Sequence, residues 1–233
     1  MILLEEIDKS IVKSDSSELP ENFVAVAVQL NVKGTALHSG LIISVNGKCK
    51  LFHFDVDEVI YLQDVPSKKW YFHKELSIIK PQEAAVFLAR CEMIANTANP
   101  RFGFFYDGSY YDEKGKLISK SNSTEFTNCV LFCINVILGF IESDSYILFN
   151  DWSSDKISDG FFHDFCSRKK LFMSETELEK LRAILLRIPP LDYTATAFKN
   201  TLPIGKADIL EEVKILEEVF KSKVILPTFT TIS

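Results

Sequence analysis

Apolar and polar positions along the chain fall into two regimes. From Phe23 to Leu30 (FVAVAVQL) large and small apolar residues alternate and Val is frequent, which predicts a strand. Ala36 to Val45 and Lys48 to Phe54 repeat that character on either side of Asn46-Gly47, a pair that favours a type I′ hairpin turn. Glu58 to Gln63 and Tyr71 to Ile79 continue the sheet. Then the period changes. Ala84, Ala85, Phe87, Leu88, Cys91 and Ile94 recur at three and four, predicting a helix from Gln82 to Asn96 with Pro81 at its opening and Asn99-Pro100 past its end. Residues 101–125 crowd Phe102, Phe104, Phe105, Tyr106, Tyr110 and Tyr111 among Gly and Asp, as loop or irregular strand. Thr127 to Phe140 is apolar almost all round, which predicts a buried helix.

Beyond Ser143 the pattern is helical. Ser174-x-x-Glu177 reads as a capping box opening a helix to Arg187, stopped by Pro189-Pro190. Lys206 to Lys223 sets Ile209, Leu210, Val213, Leu216, Val219 and Phe220 on one stripe. Strands first and helices afterwards argue for α+β and against alternating α/β. The organisation read from this is a lead-in over 1–22, a core over 23–150 and a mainly helical C-terminal extension or cap over 151–233.

At 233 residues and 47% hydrophobic, the chain can build a full core without metal or disulfide staples. A net charge of −6 argues against a nucleic-acid partner, which needs a basic face. The longest apolar run, Cys129 to Ile141, falls short of the ~20 residues that span a bilayer. Glu5 and Glu6 stand where a secretory leader carries positive charge. The five cysteines (49, 91, 129, 133 and 166) are odd in number and lack close pairs, so they read as thiols in a reducing compartment. Cytoplasm is the simplest such place, and delivery into a host cell by a non-classical route would look the same.

The chemistry concentrates on two places. Carrying the Asn46-Gly47 register outward sets Gly40 opposite His53 and His38 opposite Asp55, so His38 and His53 share a face as diagonal neighbours ~7–8 Å apart. The small Gly40 beside them leaves room for something to approach. The second place is Phe126-Thr127-Asn128-Cys129, where Thr127 or Asn128 caps the apolar helix and Cys129 falls in its first turn. A helix N-terminus favours a thiolate, which predicts a thiol pKa below the ordinary value and backbone N–H groups placed for an oxyanion. Cys133, one turn further in, reads as core.

Leu37-His38-Ser39-Gly40-Leu41-Ile42-Ile43, a second His on the next strand, and a later Asn128-Cys129 opening an apolar helix resemble the circularly permuted papain-like (NlpC/P60-type) enzymes. That group includes the lecithin:retinol acyltransferase-like proteins, the YiiX-like amidases and the PPPDE isopeptidases. The likeness covers about residues 24–141 and includes the order of the parts, with the His-bearing strand before the Cys-bearing helix. It implies an antiparallel sheet packed on the Cys helix, Cys129 as nucleophile, His38 as general base and His53 as the group that orients it. It departs from the acyltransferase-like branch in having Val130-Leu131-Phe132 after Asn128-Cys129 instead of Glu-His-Phe, and in lacking a hydrophobic membrane anchor. The implied activity is therefore a cysteine hydrolase (amidase, peptidase or isopeptidase) acting through a thioacyl-enzyme on a protein, peptide or lipid-amide or ester substrate. The alternatives are a thiol acyltransferase or lipid-ester hydrolase of the same fold, and a catalytically inactive binding module.

Asp55 is a rival to His53 as orienter, since the same register sets it opposite His38. His73 and His163 read as structural. A zinc site from His38, His53 and a Cys is weakly supported, since no C-x-x-C or H-x-x-x-H spacing accompanies it. No Gly-rich phosphate loop is present, and no cofactor or metal is expected.

Overall fold

The computed structural model describes residues 4–14, 19–66, 71–120, 126–152, 159–168 and 174–224. Parts of the expected lead-in (1–3, 15–18), of the aromatic loop (121–125) and of the C-terminal extension (153–158, 169–173, 225–233) lie outside these residues. The fold is mixed α+β. Six strands, β1 (Val12–Lys13), β2 (Phe23–Leu30), β3 (Ala36–Val45), β4 (Lys48–Phe54), β5 (Ile60–Asp64) and β6 (Tyr71–Glu75), form one antiparallel sheet in the order β1-β6-β2-β3-β4-β5. Four short strands pair outside it: β7 (Arg101–Phe102) with β10 (Phe126–Thr127), and β8 (Tyr110–Tyr111) with β9 (Leu117–Ile118). The described helices are α1 (Leu4–Ser10), α2 (Ala84–Thr97), α3 (Cys129–Phe140), α4 (Phe149–Trp152), α5 (Asp159–Arg168), α6 (Glu175–Ala183), α7 (Pro190–Thr196) and α8 (Leu210–Lys223).

The central hairpin has the bounds its alternation predicts. Asn46 and Gly47 take φ of 51° and 74°, both left-handed as a type I′ turn requires, and Val45 pairs with Lys48. The last sheet strand is shorter than expected: β6 stops at Glu75 because Leu76–Ile79 close a turn, the Ile79 N–H donating to the Leu76 carbonyl at 3.4 Å.

Strand alternation gives the sheet two faces. Val24, Val26, Val28, Leu41, Ile43, Phe52 and Phe54 enter the main core with α3, while Phe23, Ala25, Ala27, Ile42, Leu51 and Tyr71 make a smaller cluster on the other side. α3 is carried by burial. Val130, Ile134, Val136 and Ile137 are β-branched and give up a few tenths of a kcal/mol each in helix propensity, against about 1.5–3 kcal/mol each for being buried.

The C-terminal part differs from its sequence reading in two places. The capping box at Ser174 forms, with the Ser174 N–H donating to Glu177 Oε2 at 2.8 Å, but α6 ends at Ala183, short of Arg187. Residues 184–186 instead pair with the aromatic segment: the Tyr106 N–H donates to the Ile184 carbonyl and the Leu186 N–H to the Phe104 carbonyl. Pro190 is not only a stop but the first residue of α7, where its missing N–H costs nothing. One buried cluster runs from Ile7 to Phe220, so the packing is continuous across residue 150. Among the described residues no helix is long and apolar enough to cross a membrane.

Candidate active site

His38 and His53 meet. His38 Nε2 lies 2.9 Å from His53 Nδ1, with the rings edge to face at 84°. Two local features set this up. A bulge in the β2–β3 ladder pairs Gln29 with His38 but Leu30 with Ala36, leaving Leu37 as the extra residue beside His38. Bulges of this kind re-aim a side chain without ending the strand. His53 is buried, stacked on Tyr61 with 5.1 Å between ring centres, and its Nε2 stands 3.3 Å from the Gln63 amide nitrogen. Gly40 does sit beside His53, but the space is not open: a Cβ there would lie 3.0 Å from Leu51 Cδ1 and the Phe52 carbonyl and 3.1 Å from His53 Cβ. It is the neighbouring strand that the glycine admits. Asp55 lies past the end of β4 and its Oδ1 accepts the Val56 N–H at 2.7 Å, so it caps its own turn while His53 takes the contact with His38.

Cys129 opens α3 as the sequence predicts, with Asn128 as N-cap. Asn128 Oδ1 accepts the N–H of Val130 at 3.0 Å and of Leu131 at 3.1 Å. The thiol, however, is not made acidic by that position. Burial pushes its pKa up; the backbone N–H groups of Ser39 and Val130 oppose this, the Asp55 charge adds to it, and Cys129's own N–H again opposes it. Desolvation outweighs the helix field. Cys129 is nonetheless only partly buried by surface area, because one side of it forms the wall of an opening.

That opening is a cavity of about 190 Å³ at the point where β3 begins, β4 ends and α3 begins, and His38 and Cys129 both line it. Phe102 and Phe104 form its apolar wall with Phe54, Val56 and Ile188. Their placement follows from the parallel pairing of β7 with β10, which sets Phe102 alongside Thr127, and from the Gly103 N–H donating to the Thr127 carbonyl at 2.7 Å. Glu58, a non-glycine residue at φ 62°, accepts the Phe102 N–H at 2.8 Å and ties this wall to the turn after β4. A left-handed glutamate is mildly strained, and the hydrogen bond it makes is the local compensation.

His73 is on the same sheet but not at this site. It is buried, stacked on Phe23 and 3.0 Å from Ser14 Oγ through Nδ1, with Nε2 buried and without a hydrogen-bond partner. His163 is exposed on α5, and Cys133 is fully buried in the core. No group of three or more His, Cys, Asp or Glu among the described residues is arranged to hold a metal ion. Three residues at the site escape the sequence reading: Tyr61 and Gln63, which a worked-out β4–β5 register brings opposite His53 and Leu51, and Arg187, which lines the cavity from the C-terminal part. Compared with family models, with curated proteins and with solved structures, the chain matches none of them.

Proposed function

We propose that the protein is a cysteine hydrolase of permuted papain-like design that cleaves an amide-type bond at the Cys129–His38 cavity. The observation that carries the reading is the convergence on one opening of a capped-helix cysteine and of His38, which is hydrogen-bonded behind it to His53. The order of parts, an antiparallel sheet followed by the Cys-bearing helix, agrees with it.

His38 Nε2 is engaged with His53, so Nδ1 is the atom assigned to the proton transfer. His38 takes the thiol proton as sulfur attacks the carbonyl carbon, and the carbonyl π pair moves to oxygen. Collapse of that intermediate breaks the C–N bond, the imidazolium returns the proton to the departing amine, and a thioester remains on Cys129. Water, deprotonated by His38, then attacks the thioester; its C–S bond breaks, the acid leaves and the thiol is re-formed. Because burial holds the thiol protonated at rest, the proton moves during attack and is not already on the imidazole as a stable ion pair. A thiol acyltransferase is the second reading. It is favoured by the apolar cavity wall and by Leu37 and Val56, exposed at 55% and 64%, and it differs only in an amine or alcohol replacing water in the last step.

The test is to screen amide, isopeptide and ester substrates and to trap the acyl-enzyme by mass spectrometry on the Cys129 peptide. Cys129→Ser is expected to abolish the adduct, and His38→Ala to lower kcat/KM by ~10²–10⁴-fold. His53→Ala is expected to lower it less, with the protein still folded. Without an acyl adduct on Cys129 from any of the three substrate classes, the chain is a binding module instead.

A further inference from the structure

Arg187 is the one cation among the residues lining the Cys129–His38 cavity. It is exposed, and among the described residues no carboxylate pairs with it. Its position is nevertheless held. Leu186 and Ile188 on either side are buried, the Leu186 N–H donates to the Phe104 carbonyl at 2.8 Å, and the Tyr193 N–H donates to the Pro189 carbonyl at 3.0 Å. A segment with both neighbours buried, and hydrogen-bonded at Leu186 and Pro189, presents the residue between them to the opening. Two carboxylates of the turn after β4, beside the cavity's Val56 and Phe102, are engaged with backbone: Asp55 accepts the Val56 N–H and Glu58 accepts the Phe102 N–H.

We infer that Arg187 selects substrates carrying an anionic oxygen group, a carboxylate or a phosphate, within about one residue of the bond that Cys129 attacks. Resting on the thiol-hydrolase reading above, it narrows the substrate to an amide whose acyl part pairs one apolar side chain with that anion. The cavity, at about 190 Å³, is smaller than the ~300–1,000 Å³ that takes a drug-sized ligand, and suits a single side chain against Phe102 and Phe104. A guanidinium presents a planar fork that matches both carboxylate and phosphate, and an unpaired one beside a desolvated thiol lowers the cost of bringing in a negative group.

The experiment uses two alkylating probes of nearly equal shape, anionic iodoacetate and neutral iodoacetamide, on the full chain. Cys129 modification is read by peptide mass mapping, with N-acetylcysteinamide as the reference thiol. The iodoacetate-to-iodoacetamide rate ratio at Cys129 is expected to exceed that of the reference by about tenfold, and to fall to the reference value in Arg187→Gln. In the wild type, inorganic phosphate is expected to slow iodoacetate more than iodoacetamide at constant ionic strength, which gives a readout that needs no variant. A ratio equal to the reference and unchanged in Arg187→Gln overturns the anion selection while leaving the thiol reading intact. Failure of Cys129 to react with either probe removes the thiol reading, and this inference with it.

Discussion

The orientation of one side-chain amide decides which nitrogen of His38 is basic. With the Gln63 amide nitrogen donating to His53 Nε2, His53 carries its proton on Nδ1 and donates to His38 Nε2, which leaves the His38 proton on Nδ1. With Gln63 Oε1 turned to the same place, every donor in the chain reverses and His38 Nδ1 holds the lone pair that the proposed hydrolysis needs. Gln63→Glu offers only acceptor oxygens and adds a charge that favours the imidazolium. The acid limb of kcat/KM against pH is therefore expected to move to higher pH in that variant, while Gln63→Leu lowers the rate without that shift. His73 gives a separate pH effect, on stability. Burial, aided by the Lys74 charge, lowers its pKa from 6.5 to about 4, so the folded state stays neutral while the unfolded chain takes a proton. Stability is full above pH 6.5 and is lost as pH falls toward 4, by up to about 3 kcal/mol at 1.36 kcal/mol per pH unit. Urea unfolding of wild type and His73→Phe at pH 7 and pH 4 is expected to show that extra loss only in the wild type.

At the scale of elements, α3 is the part on which the site depends most, and its fit against β8 is tight. A Cβ at Gly139 would overlap the Tyr111 carbonyl oxygen. Replacing a helical Gly by Ala gains about 1 kcal/mol in propensity, but backbone cannot yield to such an overlap, and overpacking costs about 1–3 kcal/mol. Gly139→Ala is expected to be net destabilising in chemical denaturation despite the better helix former. The same elements show what a sequence can reveal. The β3–β4 hairpin was legible because Asn46-Gly47 fixes a register that alternation then carries to His53, and α3 because Asn128 is a cap before an unbroken apolar run. The bulge at Leu37 was not legible, since it arises in the pairing with β2. Nor was the short reach of α6, whose last predicted turn gives way to pairing with Phe104 and Tyr106, a competition between distant segments that local pattern does not contain. Arg187 was hidden for that reason, although the alternation Leu186-Arg187-Ile188 before Pro189-Pro190 is the signal of an extended strap. The acidic thiol expected from the helix N-terminus failed differently, because the field was counted and the desolvation was not.

The whole molecule is closed by its C-terminal helix. α8 packs on α1 and α7, and Lys199 Nζ meets Glu212 Oε1 at 2.8 Å with Glu212 only 4% exposed at its side chain. Removing one member of such a pair leaves a buried charge alone, whereas removing both leaves an apolar contact. Lys199→Met is expected to lose about 3–5 kcal/mol, and Lys199→Met with Glu212→Leu to recover most of it, as a double-mutant cycle in urea would read. The strap at 184–190 has a consequence of another kind. It supplies the cavity's Arg187, Ile188 and Pro190, and it can pair with Phe104 and Tyr106 only after the ribosome has made it. For the time it takes to synthesise the sixty or so residues after Cys129, several seconds at ~5–20 residues per second, the nascent chain holds the proposed nucleophile without the wall proposed to choose what reaches it. On the proposed reading, selectivity is thus acquired later in synthesis than the thiol it governs.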